Sequence, residues 1–263
     1  MTDATTEASV LVRRDGAVAT LVLNEPKSMN AMSGGIKAGI EETLPGLLAD
    51  PEVRAVVITG TGRAFCAGGD IRSMDDRGTL SVKTRMTRTY RWLIPLLTAD
   101  KPIVCAVNGA AAGAGLSLAL TGDIILASRE ARFKAGFPGL GAAADLGLAY
   151  TLPRAVGYQR ASDILLTNRE VSAEEAHQMG LVARLAEPEA LMAAAMETAQ
   201  ALAAGPTVSL GLTKRLMRRA YELPIEGFLE FEAMAQVVAF GSDDFGEGVA
   251  AFRGKRRPDF KGR

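Results

Sequence analysis

Two glycine-rich segments carry the chemistry that this sequence offers. The first segment is Ala64 to Ile71, AFCAGGDI; the second is Asn108 to Leu116, NGAAAGAGL. Glycine lets a ligand approach the main chain closely, and amides at the start of a helix favour negative charge. Two such segments can each aim one N–H at the same oxygen, which makes an oxyanion hole. The nucleotide-binding pattern GxGxxG does not fit the second segment, because Leu118 occupies the place of the third glycine. Asp145, in GLGAAADLG, lies at the start of a helix-like run, and on position alone it reads as a helix cap.

Other chemistries find little support. The chain has a single histidine, His177, in EEAHQMG. A zinc site or a Ser-His-Asp triad would have to use it. Ser117 has no histidine partner in the sequence pattern, so a serine nucleophile is disfavoured. Cys66 and Cys105 lie in apolar runs and read as buried free thiols of a reducing compartment. Asp123, which opens a strand, reads as a backbone hydrogen-bonding residue, and Asp70 as a turn or structural residue. No metal site is expected.

The whole chain bounds these readings. It has 263 residues, 48% hydrophobic and 23% charged, with 30 basic and 30 acidic side chains. A formal net charge of zero argues against a surface built to coat nucleic acid. Arg85, Arg88 and Arg91 form a possible basic stripe, better read as a solvated face or a phosphate contact. The polar, acidic start MTDATTEASV lacks the features of a signal peptide. The stretch Ile103 to Leu120 has the length of a membrane span but holds Asn108 and three glycines. A buried strand, turn and helix is the better reading. The location expected is cytoplasmic.

The elements that must position these groups alternate along the first half. Strands are expected at Val18–Leu23, Ala55–Thr59, Ile103–Val107 and Ile124–Ala127. Helices are expected from the Ser33 cap towards Leu48, with Pro45 ending or bending it, and over 79–98. This is an α/β pattern. After about Ala143 the strands stop in this reading. Helices follow over Ala155–Leu166, Ala173–Met179, Glu189–Ala204, Pro206–Tyr221 and Pro224–Phe240, with Pro206 and Pro224 in first helical turns. Phe228, Phe231, Met234, Ala235 and Val238 form an apolar stripe, either core or subunit interface. The boundary is set at residues 1–200 for the core and 201–263 for the helical region. The tip RGKRRPDFKGR reads as basic and surface-exposed. Tyr90 and Trp92 read equally as pocket lining or as core.

Five segments in order, EPKSMNAM (25–32), AFCAGGDI, KPIVCAVNGAAAGAGLSLALTGDIILAS (101–128), ARFKAGFPGLGAAADLGLAYTLPRAVG (131–157) and AEEAHQMGLV (173–182), give the chain a resemblance to the crotonase superfamily, the enoyl-CoA hydratase/isomerase family. The resemblance spans roughly residues 10–260. It implies a spiral of ββα units with a helical C-terminal trimerisation region, in a homotrimer or a dimer of trimers. It implies an acyl-CoA thioester substrate, no further cofactor, and a lipid-metabolic role.

Carried residue by residue, the oxyanion-hole amides are those of Gly69 and Ala114. The CoA-binding segments are Lys27 to Ala31, including Met29, and Ala67 to Ile71, including Gly68 and Asp70. Lys255 and Arg256 would reach CoA phosphates, and Phe137 would form an apolar wall. The two glutamates of the hydratases fall on Ser117 and Phe137, neither of which transfers protons as a carboxyl does. Asp145 matches the position where isomerase-like members, including one acting on a phenylacetyl-CoA ring epoxide, carry their acid. YTLPRAVG resembles the isomerases' WLLPRxVG. The resemblance therefore favours a double-bond isomerase. A hydratase with an atypical acid set, a dehalogenase using Asp145 as nucleophile, and a non-catalytic acyl-CoA or RNA binder are the rivals. The dehalogenases' tryptophan and histidine are missing at Phe137 and around Tyr90.

Overall fold

A computed structural model describes residues 8–263. The first seven residues, most of the acidic start read above, lie outside the described residues.

The chain opens with a hairpin, β1 (Val10–Asp15) and β2 (Val18–Leu23), turned at Gly16, which has φ 56°. Helix α1 (Gly34–Ala49) follows a Ser33 cap, whose hydroxyl accepts from the Ile36 amide at 3.0 Å. The helix continues through Pro45 to Ala49, so the proline does not end it. Then come β3 (Ala55–Gly60), β4 (Ala64–Cys66) and α2 (Thr79–Thr98), and next β5 (Ile103–Val107), β6 (Ala110–Ala112) and α3 (Ala114–Ala119). A third turn of the pattern gives β7 (Ile124–Ser128), β8 (Arg132–Lys134) and α4 (Leu148–Val156).

Each repeat sends its first strand into a six-stranded sheet and its second into a small four-stranded one. The large sheet runs β1-β2-β3-β5-β7 and ends on β10 (Arg184–Ala186). Every neighbouring pair in it is parallel except the opening hairpin. The small sheet runs β4-β6-β8 and ends on β9 (Glu170–Ser172), antiparallel to β8. Strand–strand–helix repeats feeding two sheets make a spiral.

Continuous apolar runs make the central strands because both faces are covered. On one face, Leu21, Ile58, Ile103 and Cys105 pack with Ile36, Ile40 and Leu44 of α1 and with Trp92 and Leu96 of α2. Trp92 is therefore core, not pocket lining. The other face, with Val18, Val57, Val104 and Leu126, is covered by α7 (Leu191–Ala203) through Leu191, Ala195 and Ala199. Each large side chain so buried stabilises the fold by about 2 kcal/mol.

The strands do not stop at Ala143, as β9 and β10 show. Each is three residues long, and only Val171 among the six residues is fully buried, too little for a periodic signal. The helix expected over Ala155–Leu166 is two, α4 and α5 (Tyr158–Thr167). They are broken by Gly157 at φ 81°, ψ 159°, a conformation closed to other residues. Helix α6 (Ala173–Gln178) leads into β10, and exposed His177 has its Nδ1 3.0 Å from Val182 O.

Beyond α7 lie α8 (Thr207–Arg219), α9 (Ile225–Phe240) and α10 (Asp243–Arg253). Pro206 and Pro224 cap α8 and α9 from outside rather than standing in their first turns. α10, absent from the sequence reading, starts at a Ser242 cap bonded to the Phe245 amide at 3.1 Å. The basic tip is exposed but tethered. Arg54 donates to Thr207 Oγ1 and Phe260 O, and buried Asp244 accepts from the amides of Lys261 and Gly262.

Among the described residues no helix is long and apolar enough to cross a membrane. The stretch 103–120 forms β5, β6 and α3.

Candidate active site

The two glycine segments meet backbone to backbone. Gly68 has φ 105°, and a side chain there would put its Cβ 2.8 Å from Ala112 O and 3.7 Å from Gly113 Cα. Gly113, at φ 53° and ψ −123°, caps α3, and its amide donates to Lys134 O at 3.0 Å. Only glycine tolerates both the backbone angles and the close approach at Gly68. The residue after each glycine is a predicted donor. Ala114 is the first residue of α3, where a helical amide has no partner within its own helix. Among the described residues the amides of Gly69 and Ala114 meet no backbone carbonyl.

The first glycine segment is stitched to residues 27–32. The Ala67 amide donates to Met29 O at 3.0 Å, and the Met32 amide to Gly68 O at 2.7 Å. Asn30, fully buried, holds this edge: its Oδ1 accepts from the Glu25 amide, and its Nδ2 donates to Thr61 O and Ala64 O. Met29 and Asn30 adopt positive φ, 52° and 55°, to make the turn. Lys27, Met29 and Ile71 are exposed along this edge, Ala31 and Ala67 half-buried. Asp70 caps a short 3-10 turn, accepting from the Arg72 amide, and pairs with the Arg72 guanidinium at 2.9 Å. That pairing holds its carboxyl below the usual range.

Asp145 is tied to the second segment. Ser117 Oγ, buried in α3, donates to Asp145 O at 3.1 Å. The aspartate does not cap α4: Gly147 stands at that position, and Leu148 N donates to the Asp145 backbone oxygen instead. Among the described residues its Oδ1 is the buried side-chain polar atom without a hydrogen-bond partner. Burial pushes its carboxyl up from the usual aspartate value, and the charges of Lys37 and Arg85 act against that rise. The next residue, Leu146, is buried with φ 51°, a strained conformation for a leucine. Phe137 is 8% exposed, and its Cζ lies 4.0 Å from where a Cβ on Gly113 would stand.

Sequence reading had not singled out Lys37, one turn into α1, and had taken Arg85 for a solvated face or a phosphate contact. No local motif marks them, because α1 and α2 reach Asp145 only through the fold. Lys255 stands exposed in the turn after α10 at φ 51°. Arg256 is engaged by Glu247 at 2.5 and 2.7 Å. Tyr90 is on the exposed side of α2. A separate hollow of about 920 Å³ lies between α2, α4 and α8. Its cations are spent on structure: Lys214 pairs with Asp123 and Arg215 with Asp100. Asp123 also accepts from the Ile103 amide at 2.7 Å, the backbone role expected of it. Cys66 and Cys105 are buried free thiols whose pKa values are pushed up to about 12 by burial. No cluster of three or more potential metal ligands exists among the described residues.

Spiral and converging glycine segments define a class, and the comparisons agree. The family model described as enoyl-CoA hydratase/isomerase matches residues 13–263, and the chain belongs to that family. It is 38% identical over 258 residues to the 1,2-epoxyphenylacetyl-CoA isomerase of Escherichia coli K12, covering 97% of this chain and 98% of the relative. It is 32% identical to the short-chain-enoyl-CoA hydratase of Clostridium acetobutylicum, covering 97% and 98%. The crystal structure of an enoyl-CoA hydratase subunit from Geobacillus kaustophilus superimposes with a TM-score of 0.90 at 36% identity, covering 97% and 98%. The crotonase-type fold expected from the sequence is thus the fold observed.

Proposed function

We propose that the protein is an acyl-CoA double-bond isomerase. The carrying observation is Asp145: a carboxyl oxygen buried, unpartnered and held beside the start of α3. In this reading CoA lies along residues 27–31 and 67–71, and the thioester oxygen rests between the amides of Gly69 and Ala114. Asp145 takes a proton from C2 of a 3-enoyl-CoA, and the electron pair delocalises into a dienolate. The two amides stabilise the oxyanion, each by a few kcal/mol or so. Asp145 then returns the proton to C4, leaving a 2-enoyl-CoA. One group suffices because base and acid act in sequence. Phe137 and the surrounding apolar surface keep the carboxyl basic enough to act. No cofactor beyond the substrate's own CoA is required.

The positions where water-adding relatives carry glutamates support the isomerase over the hydratase. Ser117 is fully buried and spends its hydroxyl on backbone oxygens, while Phe137 has no proton to move. The relative acting on an epoxyphenylacetyl-CoA extends the substrate class to ring-bearing acyl groups. Self-assembly into trimers fits α9, which exposes Ile225, Leu229, Met234, Val237, Val238 and Phe240, more apolar surface than the expected stripe. Lys255 would then meet CoA phosphate from its own or a neighbouring subunit.

Parallel incubations with 3-enoyl-CoA and 2-enoyl-CoA test the reading. Migration of the double bond from the first is expected. Formation of 3-hydroxyacyl-CoA from the second, without migration, makes the protein an atypical hydratase. Binding of acyl-CoA with no product from either makes it a binder.

A further inference from the structure

The two candidate donors are walled by different side chains. Beside Gly113 and Ala114 stands Phe137, 8% exposed, its Cζ 4.0 Å from where a β-carbon on Gly113 would lie. Beside Gly69 stands Met74. A β-carbon on Gly69 would collide with the Met74 methyl carbon, Cε. Setting aside the residues that flank Gly69 in the chain, no other described atom comes within 4 Å of that point. The methyl thus fills the space that the glycine leaves, and fills it alone.

Backbone angles do not explain the glycine. Gly69 lies outside the positive-φ region that holds its neighbour Gly68, so its main chain accepts alanine. What excludes a side chain there is Met74. The main chain at both ends of this contact is tied down. Gly69 forms a β-bridge with Met32. Asp70 accepts from the Arg72 amide at 3.1 Å and grips the Arg72 guanidinium at 2.9 and 3.1 Å. The Met74 amide closes that turn on Ile71 O at 3.0 Å. The Met74 side chain is loose by comparison. It is 38% exposed, and a methionine turns about three unbranched bonds where a phenyl ring swings as one block.

Resting on the reading that the Gly69 amide holds the thioester oxygen, we propose that Met74 is a specificity-determining residue, a movable wall whose methyl withdraws from Gly69 to admit bulk beside the thioester carbonyl. With the methyl in place, the site takes an unbranched acyl chain. With the methyl withdrawn, the space in front of Gly69 takes a substituent on C2, the carbon next to the carbonyl. Phe137, buried, keeps the opposite wall fixed. Glycine at 69 and methionine at 74 act as a pair, because a β-carbon at 69 would close that space permanently.

The test measures kcat/KM of the full-length protein on an unbranched 3-enoyl-CoA and on its 2-methyl derivative, which keeps one proton on C2. Met74→Ala leaves the space open and should raise the branched-to-unbranched ratio about tenfold, the scale of one methyl-sized change in a pocket. Gly69→Ala should lower the ratio by about as much. The two changes should also couple: Gly69→Ala costs about tenfold on the unbranched substrate alone, but less than about twofold once Met74→Ala has removed the collision. An unmoved ratio in Met74→Ala overturns the proposal, as does an equal loss on both substrates, which marks Met74 as structural. So does a cost of Gly69→Ala that is the same in both backgrounds. Carbon-13 methyl NMR of methionine-labelled protein reads the wall without turnover, with the Met74 signal assigned by its loss in Met74→Leu. Saturated 2-methylbutanoyl-CoA should shift that signal more than butanoyl-CoA, and a signal that neither ester moves overturns the proposal. If the wild type does not isomerise 3-enoyl-CoA, the isomerase reading fails, while the NMR comparison still decides whether Met74 yields to bulk on C2.

Discussion

Two lysine–aspartate neighbourhoods in this molecule share their residue types and differ in everything else. Lys214 and Asp123 touch at 2.6 Å, and the surplus valences are filled: Lys214 Nζ donates to Lys101 O, and Asp123 accepts from the Ile103 amide. Lys37 and Asp145 share no bond, and at Asp145 a buried carboxyl oxygen is left short among the described residues. The first pair ties α8 to the entry of β5 and β7. The second leaves a proton acceptor unspent. A carboxylate with its bonds filled stabilises the fold; one whose buried oxygen is left short costs stability and keeps reactivity.

The strongest way to break this contrast is to neutralise each aspartate. Asp145→Asn should lower kcat on 3-enoyl-CoA by about 10³-fold, within the range of a lost general base, while acyl-CoA still binds by calorimetry. Asp123→Asn should do the opposite. Thermal and denaturant unfolding should show a loss of about 3 kcal/mol, because Lys214 is left buried without its partner, and kcat per folded molecule should be retained. Equal activity losses in both variants would erase the distinction.

The frame around the reactive carboxyl should be less sensitive. Gly68→Ala would press a Cβ against Ala112 O and part the two glycine segments. Steady-state kinetics should show kcat down by about 30-fold with a smaller change in KM, as expected for misplaced donors. The pH profile sharpens the comparison further. Asp145 acts as a base only when ionised, and burial raises its pKa. Activity should therefore be lost, as pH falls, at a higher pH than an ordinary aspartate would allow. An acidic limb at or below the ordinary value would deny that burial shapes the site.

The smallest effect concerns stability. A carboxyl whose pKa is raised in the folded state binds its proton more tightly there than in the unfolded chain. Above both pKa values this penalises folding, and below the unfolded value the penalty is gone. Asp145→Asn should thus melt at or slightly above the wild-type temperature at neutral pH, and the gain should vanish in acid. A melting temperature several degrees lower would show Asp145 to be structural, like Asp123.

Much of this was legible because the signals are local. Val18–Leu23, Ala55–Thr59 and Ile103–Val107 are continuous apolar runs, and such runs become strands covered on both faces. Gly68 and Gly113 stand where the chain demands positive φ. What escaped was either too short or too distributed. Strands β9 and β10 offer three residues each. Gly157 was visible, but its power to split a helix depends on a backbone angle set by packing. The capping reading of Asp145 failed because Leu146 and Gly147 both adopt positive φ and carry the helix start past it.

The sharpest measurement follows a label. With 3-enoyl-CoA deuterated at C2, a single turnover should deliver part of the deuterium to C4 of the product, because one carboxyl group carries it across. Product free of deuterium at C4, formed as fast by Asp145→Asn as by the wild type, would contradict the account at its centre.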